Sequence, residues 1–106
     1  MTDDKVPVGY TGDMPDISLD TRVTLHQDAV FRELDGEAVI LQLEAGMYFG
    51  LDPVGTRLWQ LIELHGQLRP VLDAALQEFE VAPAVLERDL IELVSGLAEK
   101  QLVVVQ

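Results

Sequence analysis

The chain contains no cysteine. That excludes disulfides, thiolate catalysis and cysteine-ligated zinc or iron–sulfur centres, and it suits a reducing compartment. Positive charge is scarce as well: seven Lys and Arg against nineteen Asp and Glu leave a net charge of −12. The seven, Lys5, Arg22, Arg32, Arg57, Arg69, Arg88 and Lys100, are scattered along the sequence. No basic patch therefore offsets the repulsion that duplex phosphates or an anionic leaflet would meet, and neither nucleic acid nor membrane is an expected partner. A neutral or basic partner is easier to accommodate. No apolar run approaches the ~20 residues needed to cross a bilayer. The start MTDD is acidic and lacks the apolar run of a secretory signal, so a cytoplasmic location is expected.

Reaction chemistry is equally thin. His26 and His65 are the only histidines and show no close ligand spacing, so no metal is expected. Ser18 and Ser95 sit at no nucleophile elbow and have no histidine nearby. Carboxylate pairs such as Glu78 with Glu80 are commonplace in so acidic a chain and read as solvated surface. Gly46, Gly50 and Gly55 form no phosphate-cradling pattern. The expectation is a protein with no catalytic residue and no cofactor, not an enzyme.

What is present is a foldable pattern. The 106 residues, 48% of them hydrophobic, suit one globular domain with a core of its own. Residues 1–21, MTDDKVPVGYTGDMPDISLDT, mix Pro, Gly and Asp with isolated apolar residues and read as a flexible acidic arm. The folded domain is expected over 22–106. Asp35-Gly36 is a turn signal between VTLHQDAVFREL and the β-branched EAVILQL, and Glu44-Ala45-Gly46 supplies a second turn. An antiparallel meander follows, with strands near 29–34, 37–43 and 47–51, the third at an edge.

Asp52 then offers an N-cap acceptor, and Pro53 has a ring already set to helical φ. Val54, Leu58, Leu61 and Ile62 give one apolar face, and Gly66 is the expected stop. Trp59, at the margin of that face, reads as core. A second helix is expected from Pro70, with Leu72, Ala75, Leu76 and Phe79 in period, and a third from Pro83 to about Lys100. In the third, Leu86, Leu90, Leu93 and Leu97 make one stripe and Ile91, Val94 and Ala98 another, an apolar arc of roughly 160°. Two walls of a closed core explain that width, and so does one wall in the core and one on a groove.

The stretch GMYFGLDPVGTRLW concentrates the remaining interest. Tyr48 and Phe49 are neighbours on a strand, so they point to opposite faces and one of them is expected to be exposed or groove-lining. A short edge strand also presents unpaired backbone donors and acceptors, a template for a further strand.

The string LEAGMYFGLDPVGTRLWQLI at 43–62, with QEFEVAPAVLERDLIELVSGLAEKQLV at 77–103 and the spacing between them, resembles the PqqD-like family of peptide-recognition domains. The likeness spans about residues 22–105. It implies an α+β fold, a winged helix-turn-helix in which a three-stranded antiparallel sheet is followed by three helices. It implies a non-catalytic adaptor that binds the leader of a ribosomally made precursor peptide by β-strand addition and presents it to a modifying enzyme or leader protease. On this sequence the peptide-binding positions would be Met47, Tyr48, Phe49, Gly50 and Leu51 on the strand, with Leu86, Arg88, Asp89, Leu90, Leu93 and Leu97 on the last helix. Ala82 departs from the aspartate often found before the proline, and Gln101 from a helix-ending glycine, so a different helix exit is expected there. A proline-glutamate signature expected of the pyrroloquinoline quinone pathway protein is absent before the first helix, which favours another peptide, with lasso-peptide assembly leading. Two other readings compete. A winged-helix DNA-binding regulator is opposed by Glu87, Asp89, Glu92 and Glu99 against only Arg88 and Lys100 on the third helix. An interaction subunit whose edge pairs with itself would be a homodimer.

Overall fold

A computed structural model of the chain describes residues 17–106. The expected arm lies outside the described residues as far as position 16. Five strands and three helices follow in the order β1 (Val23–Leu25), β2 (Ala29–Leu34), β3 (Glu37–Gln42), β4 (Met47–Leu51), α1 (Pro53–His65), α2 (Leu68–Glu78), α3 (Pro83–Glu99) and β5 (Val103–Val105). The antiparallel meander is β2-β3-β4, with Ile40 facing Phe31 on one side and Phe49 on the other. Asp35 and Gly36 both take positive φ, 57° and 82°, the pair of left-handed residues that lets a two-residue turn match the strand twist.

Beyond the expected three strands there is a second, two-stranded sheet, β1 with β5, in which Val23 faces Val105 and Leu25 faces Val103. Its strands are three residues each and far apart in sequence, so neither carries enough alternation to be read locally. Here the segment entering the fold meets the segment leaving it. The Arg22 N–H donates to the Gln106 carbonyl and the Gln106 N–H returns to Arg22, at 3.0 and 2.9 Å.

Residues 17–21 belong to this folded unit rather than to an arm. Gln67, the N-cap of α2, makes no side-chain cap. The orphan N–H groups of Leu68 and Arg69 donate instead to the carbonyls of Thr21 and Leu19, at 3.1 and 2.8 Å. With those acceptors in place α2 begins at Leu68, two residues before the expected Pro70.

The helix ends follow local chemistry. Asp52 accepts the Gly55 N–H at 2.7 Å to open α1, and Gly66 closes it at φ 73° with its N–H on the Ile62 carbonyl. Ala82 leaves α3 without a side-chain cap, as expected. The expectation for Gln101 is overturned. Its φ of 59° is the left-handed conformation a glycine would supply. Leu102 N–H reaches the Leu97 carbonyl and Gln101 N–H the Ala98 carbonyl, both at 3.0 Å, so the exit is a Schellman motif closed by the buried Leu102.

One core unites these elements: Val23, Ile40, Trp59, Ile62, Leu68, Val71, Leu90, Val94, Leu97 and Leu102 are fully buried. Trp59 is core, and among the described residues its indole Nε1 is the buried side-chain polar atom without a partner. Outside the core, Arg57 forks onto Glu78 at 2.8 and 2.9 Å, tying α1 to the end of α2. The hydrogen bonds from Arg57 hold the Glu78 carboxyl below its ordinary range, and the Arg57 guanidinium is correspondingly raised.

Candidate functional site

Among the described residues β4 is the outer strand of its sheet. One side pairs with β3, and on the other every second residue points its N–H and C=O away from the ladder. Its start is set by the turn before it. The buried Gln42 side chain accepts the N–H groups of Glu44 and Ala45 at 2.8 and 2.9 Å, and Gly46, at φ 72°, sends its N–H back to the Gln42 carbonyl. Its end is set by α1: Thr56, itself buried, donates its hydroxyl to the Leu51 carbonyl at 3.4 Å. Both ends of the edge are thus fixed by groups outside it.

Alternation divides the five residues. Met47, Phe49 and Leu51 share the face of Ile40, while Tyr48 and Gly50 share the opposite face with Leu41 and Val39. Tyr48 is the exposed aromatic, at 64%, and Phe49 is the groove-lining one. The Phe49 ring lies on α3 over Gly96: a Cβ built there would stand 2.9 Å from its Cε2 and 3.3 Å from its Cζ. Glycine at that helix position is what lets the strand come so close.

Beside this contact runs a groove of about 520 Å³. Leu51, Leu58 and Leu86 are buried in its floor, Phe49, Phe79 and Leu93 form half-buried walls, and Val54, Val81, Asp89 and Glu92 stand at the rim. A second recess, about 460 Å³, continues along β4 past Phe49 and Gly50 to Gly46, Met47, Tyr48 and Lys100. The two adjoin at Phe49 and Gly50, and together, as a trough in two parts, they accompany the edge of β4.

All five strand positions expected to bind peptide therefore lie along the trough, together with Leu86, Asp89 and Leu93 of α3. Three others do not line it. Leu90 and Leu97 are 0% exposed, so they back the wall from inside the core and leave no surface for a guest. Arg88 turns to Asp89, with Nη2 3.7 Å from Oδ1. The division of α3 into stripes shifts accordingly. Leu86, Leu90, Val94 and Leu97 are the core stripe, while Leu93, with Asp89 and Glu92 beside it, faces the groove.

Sequence reasoning missed Asp52, Val54, Gly55, Leu58, Phe79, Val81 and Glu92 as lining residues of the groove, and Gly46 and Lys100 as lining residues of the second recess. Phe79, expected in period on the second helix, is instead the residue that ends α2, half-buried at the edge of the core, and Val81 follows it, exposed, in the connection to α3. Val54 is 42% exposed on the first turn of α1, beyond the reach of the core it was expected to join.

Among the described residues no three His, Asp or Glu side chains converge as a metal site. His26 Nδ1 accepts the Asp28 N–H at 3.0 Å, a turn role. No helix among the described residues is long and apolar enough to cross a membrane.

The family model for coenzyme PQQ synthesis protein D (PqqD) matches residues 37–103. That span runs from the start of β3 through the trough to β5. The chain belongs to the PqqD family. Among solved structures, a similar one is TbiB1 in complex with the TbiA(beta) leader peptide, at 38% identity and a TM-score of 0.69, covering 74% of this chain and 92% of that one. Another is lasso peptide synthetase B1 complexed with the leader peptide. At 23% identity, a TM-score of 0.71 and coverage of 78% and 98%, it shows a shared fold. The comparison with curated proteins gave no match.

Proposed function

We propose that this PqqD-family chain is a non-catalytic adaptor that binds the leader of a ribosomally made precursor peptide and presents it to a modifying enzyme or leader protease, in a lasso-peptide pathway. The observation that carries the reading is the open β4 edge running beside an apolar trough on α3. An extended peptide added to β4 would complete its hydrogen bonds, and alternate side chains would drop into the trough, the β-augmentation mode of peptide recognition. The 38% identical TbiB1, complexed with a leader peptide, supports that choice of guest. The contact set we assign is Met47 to Leu51 with Leu86, Asp89 and Leu93, extended by Val54, Phe79, Val81 and Glu92. Leu90 and Leu97 support it from the core. The antiparallel sheet β2-β3-β4 and the short 79–82 connection between α2 and α3 also support a winged helix-turn-helix arrangement, with that sheet as the wing.

The test is an amide-resolved titration of the full chain with the TbiA(beta) leader peptide and with leaders encoded beside its gene. Shifts concentrated in 47–51 and along the Leu86–Leu93 side of α3 are expected. Amides there that stay still with every leader would overturn the proposal.

A further inference from the structure

The trough is charged unevenly along its length. At the Leu51 end it is bordered by Asp52, Asp89 and Glu92, and among the described residues no basic residue lines it there. At the Met47 end the charged lining residue among the described residues is Lys100, with no carboxylate of theirs beside it in the recess. Two of the acids are partly engaged: Asp52 Oδ1 caps Gly55 at 2.7 Å, and Asp89 Oδ1 has Arg88 at 3.7 Å. Among the described residues Glu92 makes no hydrogen bond or ion pair. These side chains are exposed at the rim, so solvent screens any charge that meets them and each pair contributes modestly.

The lengths on the two walls agree. From Met47 to Leu51 a strand rises about 13 Å. From Asp89–Glu92 to Lys100 a helix rises about 12–17 Å. The two ends of the trough are thus about one five-residue strand apart, and residues four apart on a guest strand share a face.

We infer that the guest segment is charge-polarised: a Lys or Arg at the Leu51 end, an apolar side chain in the groove between, and an Asp or Glu four residues away at the Lys100 end. For a strand added antiparallel to β4 the basic residue comes first in the guest sequence. This rests on the proposed leader-binding role and specifies its substrate class. It also gives the acidic surplus of the chain a use, since a basic-first guest approaches the acidic end with attraction at long range.

The experiment is a display selection of random dodecapeptides on the full chain, run in parallel on the Asp89→Asn/Glu92→Gln double variant. Both side chains are exposed, so the variant is expected to keep the wild-type amide spectrum. The wild-type pool should be enriched roughly three- to tenfold in Lys and Arg at one position, as one or two part-exposed ion pairs provide, with acidic residues four places later. The variant pool should keep the apolar positions and lose the basic excess. A synthetic peptide from the best wild-type clone should shift the 47–51 amides. Apolar enrichment without a basic excess, or a basic excess undiminished on the variant, would overturn the charge assignment and leave the adaptor role standing. A selection giving no peptide that moves 47–51 would remove both.

Discussion

Gly96→Ala isolates the contact on which the trough depends. The new methyl would stand 2.9 Å from Phe49 Cε2 and 3.3 Å from Cζ. Carbon–carbon contacts settle near 3.5–4.0 Å, so the ring must withdraw by about 0.6–1 Å. Overpacking of a closed core costs about 1–3 kcal/mol. Phe49 is only half-buried and has the trough to move into, so the lower end applies. Replacing glycine by alanine inside a helix returns about 1 kcal/mol. The two nearly cancel, and denaturant unfolding should place the variant within about 1 kcal/mol of wild type. Binding has no such compensation, because the displaced ring occupies the space the guest needs. Anisotropy with a labelled TbiA(beta) leader should show affinity falling roughly tenfold, equivalent to about 1.4 kcal/mol. In a Phe49→Leu background the same substitution should show the bare helix gain, the coupling between the two positions having been removed. A variant destabilised by about 3 kcal/mol that binds as wild type does would refute the reasoning, since the ring would then be rigid and the trough elsewhere.

Two stability predictions concern the ends of α3. Ala82 has φ −63° and ψ 136°, already the extended N-cap conformation, and its carbonyl holds the Val85 and Leu86 N–H groups, so Ala82→Ser should add about 1 kcal/mol by accepting the Ala84 N–H, read as a melting point about 4–8 °C higher. Gln101→Gly relieves a non-glycine residue at φ 59°, worth about 1–2 kcal/mol, against the extra freedom glycine gives the unfolded chain; a net gain of about 0.5–1 kcal/mol by chemical denaturation is expected, and a loss would mean that the Gln101 side chain makes a stabilising contact.

The meander, its two turns and both ends of α1 were legible because each is announced by residues within a few positions of one another: Asp35-Gly36, Gly46, Asp52-Pro53 and Gly66. The start of α2 and the β1–β5 pair were not. Both are made by partners some 50 to 80 residues apart in sequence, the carbonyls of Leu19 and Thr21 in one case and Val23 with Val105 in the other. The site was half legible. Its strand announced itself through Tyr48 and Phe49, whereas α3 offered a continuous apolar arc. Which of Leu90 and Leu93 faces outward depends on a rotation of about 60° that periodicity alone does not fix. Gly96, which sets the depth of the trough, carries no sequence signal of its own, for its reason is the Phe49 ring across the gap.

The edge and the trough contribute differently to holding a guest. Five residues added to β4 make up to about five hydrogen bonds, each worth about 0.5–1.5 kcal/mol net. Ordering the backbone of those residues costs about 1–2 kcal/mol apiece. Strand addition alone therefore yields little or runs at a loss, and it accepts any sequence free of proline at the pairing positions. Affinity must come from apolar surface removed from water at about 25 cal/mol per Å², that is, from side chains entering the groove between Leu51, Leu58, Leu86 and Leu93. The edge fixes register, so that the correct alternate residues face that groove. It follows that a single backbone N-methylation in the guest, opposite β4, should weaken binding less than truncating its groove-filling side chain to alanine, and titration of both peptides against the full chain measures the difference. The reverse order would mean that the hydrogen-bonded edge, rather than the trough, is the main source of affinity.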